Sequence, residues 1–284
     1  KKVKNLPNNK VIKVKNTLSS LNSLAKVSRD NSFAQIIGIT GSAGKTTLKN
    51  LIGFILKNYG KVYHSPHSYN NKFGVPLSLA NLKKNTEYGI FEIGMDKKGE
   101  IKNLSKIIKP EIGIITNIAG AHFKNFNTLK DIARAKGEMI ENISKNGTLI
   151  LNKDGKFFNF FYNKAKKEKI KVVSFGSRKK SDIFLSGIRK INRNFRLKII
   201  VDKKIFYFYT PSSTKNFVNN ILACIAVLRV LNLNLRKIKK KFNSFLMPSG
   251  RGDIKVIKKF KKKFKFIDES YNANPLSMSS AIKN

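Results

Sequence analysis

The stretch IIGITGSAGKTTLKN, residues 36–50, sets a β-branched run, a turn bounded by two glycines and a Lys-Thr-Thr triplet side by side. QIIGIT (35–40) is apolar enough for a buried strand, and beyond the turn Leu48, Leu51, Ile52, Ile55 and Leu56 recur at helical spacing. The turn of Gly41, Ser42, Ala43 and Gly44 therefore joins the end of a strand to the start of a helix. Free backbone N–H groups and the helix dipole make such a junction a place for an anion. The common phosphate-loop spacing, G-x-x-x-x-G-K-[ST], needs glycine at position 39, where this chain has Ile39. The shorter G-x-x-G-K-T from Gly41 to Thr46 keeps the same chemistry. Lys45 supplies a mobile charge for the β- and γ-phosphates of a nucleotide, and the Thr46 hydroxyl supplies a Mg²⁺ ligand. The competing reading, an ordinary glycine-rich turn with an exposed lysine, ignores the agreement between the loop chemistry and its setting.

From 36 to about 151 such units repeat: QIIGIT, YGIFEIG, EIGIITNI and GTLILN read as strands, alternating with helical patterns near 45–57, 99–108 and 128–143. This alternation predicts an α/β fold, a parallel sheet flanked by helices with ligands at the carboxyl ends of its strands. Beyond it, KVVSFG, DIFLSGIRKI and FRLKIIVDKKIFYFYT alternate with period two and predict a small antiparallel segment. Helices are expected in NFVNNILACIAVLRVLNL and NLRKIKKKFNSF. From about 251 a strand in KFKFIDES leads to a proline-started helix in PLSMSSAIKN, the expected opening of a Rossmann-like α/β domain. Residues 1–35 are polar and basic, with one helical pattern and no capacity to form a core alone. The expected organisation is 1–35 as the tail of a truncated N-terminal domain, 36–248 as a central nucleotide-binding domain and 249–284 as the beginning of a truncated C-terminal domain. A chain that opens on Lys and stops inside a helical pattern reads as a fragment.

Composition narrows the function classes. The 284 residues, 41% of them hydrophobic, suffice for two cores. No apolar run approaches the ~20 residues of a membrane span and no signal peptide opens the chain, so membrane insertion is not expected. The single cysteine, Cys224, excludes an internal disulfide and fits a reducing, cytoplasmic compartment; on an apolar helix face it reads as a small core residue. A formal net charge of +42 invites a nucleic-acid role. Yet the lysines are spread along the chain with Asn, Ile and Phe, and runs such as RKIKKKF and KKFKKKFKF read as solvated faces of amphipathic elements. No specific nucleic acid is expected as a partner, and the chain is expected to act as a monomer.

Three further clusters carry chemistry. In FEIGMDKKGEI, Glu92 ends a strand beside the glycine-turn strand, where a carboxylate can hold the Mg²⁺ of a bound nucleotide; Glu100 nearby reads as solvated. In TNIAGAHFKNF, His122 follows another strand of the same sheet, a ligand position by placement. His64 and His67, in a polar loop, have no such support. In DIARAKGEMIENI, Lys136 lies on a helix and, on the residues alone, is a solvated charge.

TGSAGKTT, FEIGMDKKGEI, TNIAGAHF, ARAKGE, KNFVNNILACIAV, PSGRGD and IDESYNANPLSM occur in the order and spacing of the Mur ligases, and from about residue 36 to its end the chain resembles that family. The short G-x-x-G-K-T loop is the family's own form. Within the family, SYNNKFGVPLSL (68–79) and SYNANP are similar to the branch that joins D-alanyl-D-alanine to a UDP-N-acetylmuramoyl-tripeptide. The resemblance implies that Gly41, Ser42, Ala43, Gly44, Lys45, Thr46 and Thr47 hold the phosphates of ATP, with Thr46 and Glu92 binding its Mg²⁺. It assigns a second Mg²⁺ to His122 and Lys136, the lysine carbamylated by CO₂ so that a cation becomes an anionic oxygen donor. Asn216 and Asn219 match the asparagines that contact adenine, although Lys215 stands where the family has histidine and Asn220 where it has alanine. Arg251 matches an arginine that reaches the γ-phosphate, Asp268 or Glu269 would approach the ribose, and Asn272 the nucleotide side of the cleft.

The implied reaction is ATP-dependent, ADP-forming amide synthesis through an acyl phosphate in peptidoglycan precursor synthesis, with Lys45, Lys136, His122 and Arg251 as the catalytic set. The missing domains would hold the UDP end of the acceptor and D-Ala-D-Ala. Another ligase of the superfamily, such as a folylpolyglutamate synthetase, and a nucleotide-regulated nucleic-acid-binding protein are the alternatives.

Overall fold

Asn16 starts the first helix, its side-chain oxygen accepting the Ser19 backbone N–H at 2.9 Å to open α1 (Thr17–Asp30). The computed structural model describes residues 7, 10–120, 125–259, 262–271, 278 and 282. Near the end of α1, Arg29 reaches forward: its Nε donates to the Ile108 carbonyl at 2.7 Å and its guanidinium pairs with Glu111 at 2.5 Å. The other Glu111 oxygen accepts the Ile36 N–H at 2.7 Å. This pair fastens α1 to the first strand of the sheet that follows.

That sheet is built by β1 (Gln35–Thr40), α2 (Lys45–Leu56), β2 (Val62–His64), α3 (Gly74–Ala80), β3 (Tyr88–Glu92), α4 (Glu100–Ile108), β4 (Ile112–Ile115), α5 (Leu129–Lys136), β5 (Thr148–Asn152), α6 (Phe158–Lys167) and β6 (Lys171–Gly176). The strands pair in parallel in the order β2-β3-β1-β4-β5-β6. Both faces are covered, and alternate side chains serve different layers. Ile37, Ile39, Ile112, Ile114 and Ile150 point into the core on the α2 side, whereas Ile36, Ile115, Leu149 and Leu151 enter the core formed with α4, α5 and α6. β2 and α3 are too short for periodicity to reveal them, and α6, FNFFYNKAKK, shows no clear helical stripe; the sequence reading gave none of the three.

The expected helix over 128–143 splits. α5 ends at Lys136 and the chain tightens into a 3₁₀ turn, Gly137–Asn142, because Glu138 is drawn away to cap α4. Its two carboxylate oxygens accept the Gly99 and Lys102 N–H groups at 2.8 and 3.1 Å.

β7 (Ile183–Ile191), β8 (Asn194–Val201) and β9 (Lys204–Thr210) are the expected antiparallel segment, and they extend the same sheet to nine strands, with β7 joining β6 in parallel over two residues. α7 (Lys215–Val230) then crosses back over the α2 side and buries Cys224 in the core. The helix expected in NLRKIKKKFNSF is two 3₁₀ turns, Leu235–Ile238 and Lys241–Ser244. Its continuity is broken because the Lys239 carbonyl accepts the Tyr209 N–H of β9 at 2.9 Å. Leu235, Ile238 and Phe242 still enter the core, and the intervening lysines face solvent.

The chain ends its described part in an antiparallel hairpin, β10 (Asp253–Lys259) and β11 (Lys262–Asp268). β11 is the expected strand, and β10 went unread in the lysine-rich run before it. The helix expected over PLSMSSAIKN lies outside the described residues except at Met278 and Ile282.

Candidate functional site

The glycine turn leaves β1 with a backbone that only glycine tolerates at its first position. Gly41 has φ +145, and a Cβ there would fall 1.9 Å from the Thr116 hydroxyl. The loop is held from one side by the strand end after β4. Asn117 Oδ1 accepts the Ala43 N–H at 2.9 Å, Thr116 Oγ1 donates to the Ala43 carbonyl at 2.7 Å, and Ser42 Oγ exchanges hydrogen bonds with Ala119 at 3.0 Å. Gly44, at φ +80, forms the N-cap of α2, and among the described residues no side chain caps that helix. By contrast Asn16 caps α1, Thr128 caps α5 and Glu138 caps α4. The N-terminus of α2 is thus left open as an anion cradle, with Lys45 Nζ lying across the loop on the Gly41 carbonyl at 3.0 Å. Burial lowers the pKa of Lys45, Glu92 opposes that shift and Arg251 adds to it.

Beside the loop lies a corner of oxygen donors. Thr46 Oγ1 donates to Glu92 Oε2 at 2.6 Å and shares a hydrogen bond with Ser68 Oγ at 3.1 Å. Asn70 Nδ2 donates to the other Glu92 oxygen at 2.7 Å. Glu92 is 2% exposed, so this carboxylate is held by hydrogen bonds in a nearly dry setting. Glu100, read as solvated, folds back to accept the Asp96 and Lys97 N–H groups at 2.6 and 3.1 Å and takes no part in the corner.

Facing the loop across a cleft of about 940 Å³ are the start of α7, the 211–214 segment, Phe245–Met247 and the hairpin base. Asn216, Asn219, Arg251 and Glu269 all line this cleft, together with Gly44, Lys45, Thr46 and Glu92. Arg251 donates to Ser68 Oγ at 3.2 Å and stacks on Tyr271 at 3.9 Å from the ring centroid, bringing the hairpin to the oxygen corner. Asp268 does not line the cleft. Its carboxylate accepts the Ser270 N–H and hydroxyl at 3.0 and 2.6 Å, closing the turn after β11.

Lys136 is 1% exposed, against the solvated reading of its sequence context. It ends α5, the helix that packs against α4, and the Ile132, Ala133 and Ala135 around it are equally buried. Among the described residues no hydrogen bond or ion pair holds its ammonium. Burial, and secondarily the charge of Lys45, drive its pKa well below the usual lysine value. His122 and Asn272 lie outside the described residues.

Sequence reasoning missed Ser68, Asn70, Thr116, Asn117, Tyr271 and Lys49. The first two stand in SYNNKFGVPLSL, whose polar start carries the signal. Lys49 had a clearer one: 45, 49, 52 and 56 fall on one helical stripe, so a lysine there sits in line with buried Ile52 and Leu56.

Three comparisons place this geometry among known proteins. The Mur ligase middle domain profile matches residues 39–228. The UDP-N-acetylmuramoyl-tripeptide–D-alanyl-D-alanine ligases of Rickettsia prowazekii and Buchnera aphidicola subsp. Baizongia pistaciae are 33% and 36% identical over 96% and 95% of this chain. The crystal structure of MurF from Acinetobacter baumannii superposes with a TM-score of 0.86 at 30% identity, covering 95% of this chain and 58% of that one. The chain spans 60% and 58% of the length of the two curated relatives.

Proposed function

The chain belongs to the Mur ligase family, and from that premise we propose that it is the ATP-binding part of an ADP-forming ligase that joins D-alanyl-D-alanine to UDP-N-acetylmuramoyl-tripeptide. The observation that carries the reading is the uncapped start of α2, set against the Thr46–Glu92 pair and reached by Arg251 from the hairpin. A triphosphate would lie on the Gly41–Thr47 loop, its adenosine running toward Asn216 and Asn219. Glu269, which lines the cleft, is assigned to the ribose ahead of Asp268, whose carboxylate already closes a turn.

Thr46 Oγ1 and Glu92 Oε2, 2.6 Å apart, are the hard oxygen donors that Mg²⁺ takes, so this corner fits the ion. When bound, the ion neutralises charge on the β- and γ-phosphates. His122 and a carbamate on Lys136 are the proposed holders of a second ion. Carbamylation joins a neutral lysine amine to CO₂ with loss of a proton, and burial of Lys136 favours that neutral amine.

The chemistry follows from charge. The terminal carboxylate of the tripeptide attacks the γ-phosphorus; a new O–P bond forms as the β,γ P–O bond breaks and ADP departs with its electron pair. Two anions meet in that step, and Lys45 and Arg251, both lining the cleft, offset their repulsion. The amine of D-Ala-D-Ala then adds to the acyl carbon and gives up a proton, and inorganic phosphate leaves as the amide forms. No side chain acts as a covalent nucleophile. Arg251 stands in the 247–252 link and meets Ser68 beside the phosphate loop, so a nucleotide in the cleft would be gripped from both sides.

The test is phosphate release from ATP with the tripeptide substrate and D-Ala-D-Ala each omitted in turn. Release that requires both is expected; release indifferent to D-Ala-D-Ala would overturn the assignment.

A further inference from the structure

Lys49 is among the largest of the fully buried side chains, and it is not one of the groups placed above on phosphate or metal. Its ammonium, 0% exposed, donates to the Ser65 carbonyl at 2.6 Å and also to the His67 carbonyl. Both acceptors belong to the short segment that leaves β2. That segment carries strain: His67 has φ +42, a left-handed conformation that histidine adopts at some cost. One residue further on, Ser68 Oγ meets Thr46 Oγ1 and accepts from Arg251, and two beyond that Asn70 Nδ2 holds Glu92. The segment is otherwise short of backbone ties, with Ser65 N–H on Ile90 and Tyr69 N–H on Pro66 as its neighbouring bonds.

We infer that Lys49 is a positioning residue: it clamps the strained 65–67 backbone from beneath, so that Ser68 and Asn70 are presented to the Thr46–Glu92 corner and to Arg251. The inference rests on the nucleotide reading of that corner. A buried ammonium is costly unless its donors are satisfied, and two carbonyls two residues apart give it acceptors that would lose their buried donor to an aliphatic residue. The helical spacing explains why a lysine suits the place. Lys49 stands three residues after Thr46 on α2, so one rigid helix carries both the donor of the corner and the strut beneath its opposite wall.

The inference predicts that Lys49→Met loosens the segment without touching the phosphate loop. Amide exchange of residues 65–70 in the ligand-free protein should speed up about tenfold or more, while that of β1 and β5 stays as in the parent. Binding of a fluorescent ATP analogue should shift its half-saturating Mg²⁺ concentration upward about tenfold, with Mg²⁺-free affinity changed less than twofold. Ser68→Ala, which removes only the last link, should raise the Mg²⁺ requirement while leaving exchange at 65–67 unaltered. The double variant should be no worse than Lys49→Met alone, because the two lie on one chain of contacts. Parental exchange and an unshifted Mg²⁺ requirement in Lys49→Met overturn the inference. If that variant does not fold, a Ser68→Ala protein with the parental Mg²⁺ requirement overturns it equally. An absence of Mg²⁺-dependent nucleotide binding in the parent protein overturns instead the nucleotide reading on which it stands.

Discussion

The second turn of α2 and the last turn of α5 each bury a lysine almost completely, and they treat it in opposite ways. At Lys49 the ammonium is met by two backbone carbonyls. At Lys136 it is met, among the described residues, by no acceptor, and the nearby Lys45 charge works against it. A buried cation with acceptors is a structural strut, whereas one without them is stable only if its charge is removed, by losing a proton or by gaining a carboxylate. The difference separates two settings of one residue type on two helices that flank the same sheet.

The largest effect should come from changing the unsupported lysine. Lys136→Ala is expected to lose turnover altogether, with partial rescue by acetate, because the carbamate proposed on Lys136 would be an oxygen ligand rather than a charge. Lys136→Arg as active as the parent would mean that charge alone suffices and would erase the contrast with Lys49. Next comes the lysine whose charge bears on Lys136: Lys45→Ala should lower kcat roughly 10²-fold or more while the fold persists, since a charge aimed at the phosphates is lost. Near-parental turnover in the purified variant would remove the phosphate-loop assignment.

Stability should divide the pair in the other direction. Lys49→Met takes the buried ammonium donor from the Ser65 and His67 carbonyls and is expected to cost about 1–3 kcal/mol in urea unfolding, whereas Lys136→Met should cost nothing or stabilise. The smallest effect is a slope. Burial brings the pKa of Lys49 down from 10.5 to about 8, with Glu92 opposing and Arg251 assisting. Below pH 8 both folded and unfolded chains carry this proton, and between about 8 and 10.5 only the unfolded chain does. Stability should therefore rise with pH across that window, and Lys49→Met should flatten the rise by up to about 1.4 kcal/mol per pH unit. An identical slope in parent and variant would show that burial does not depress the Lys49 pKa in the folded chain.

What could be read from the sequence was what local periodicity and local chemistry decide. The β1, glycine turn and α2 unit announces itself because a β-branched apolar run, the two glycines and the helical stripe all lie within about twenty residues, and Glu92 could be placed because it ends a strand in the same pattern. What could not be read depended on partners distant in the chain. Glu138 breaks α5 because α4 needs a cap nearly forty positions back. Burial of Lys136 follows from the packing of α5 on α4, which no helical wheel of ARAKGE contains. That the Asp268 carboxylate closes a turn on Ser270 while Glu269 lines the cleft depends on how the chain bends after β11, which IDES alone does not show.

The bond from Tyr209 to the Lys239 carbonyl, which interrupts a helix, also bears on how the chain behaves among other chains. A nine-stranded sheet presents two edges whose unpaired N–H and C=O groups can recruit a foreign strand. On one side the edge is β2, only three residues long. On the other, β9 is overlain by the 3₁₀ turn of Lys241–Ser244, with Phe242 set edge-on to Phe208 at 5.8 Å and lysines at 239, 240 and 241 on the outside. A broken helix there serves as a guard rail, discouraging fibril-like growth from the β9 edge.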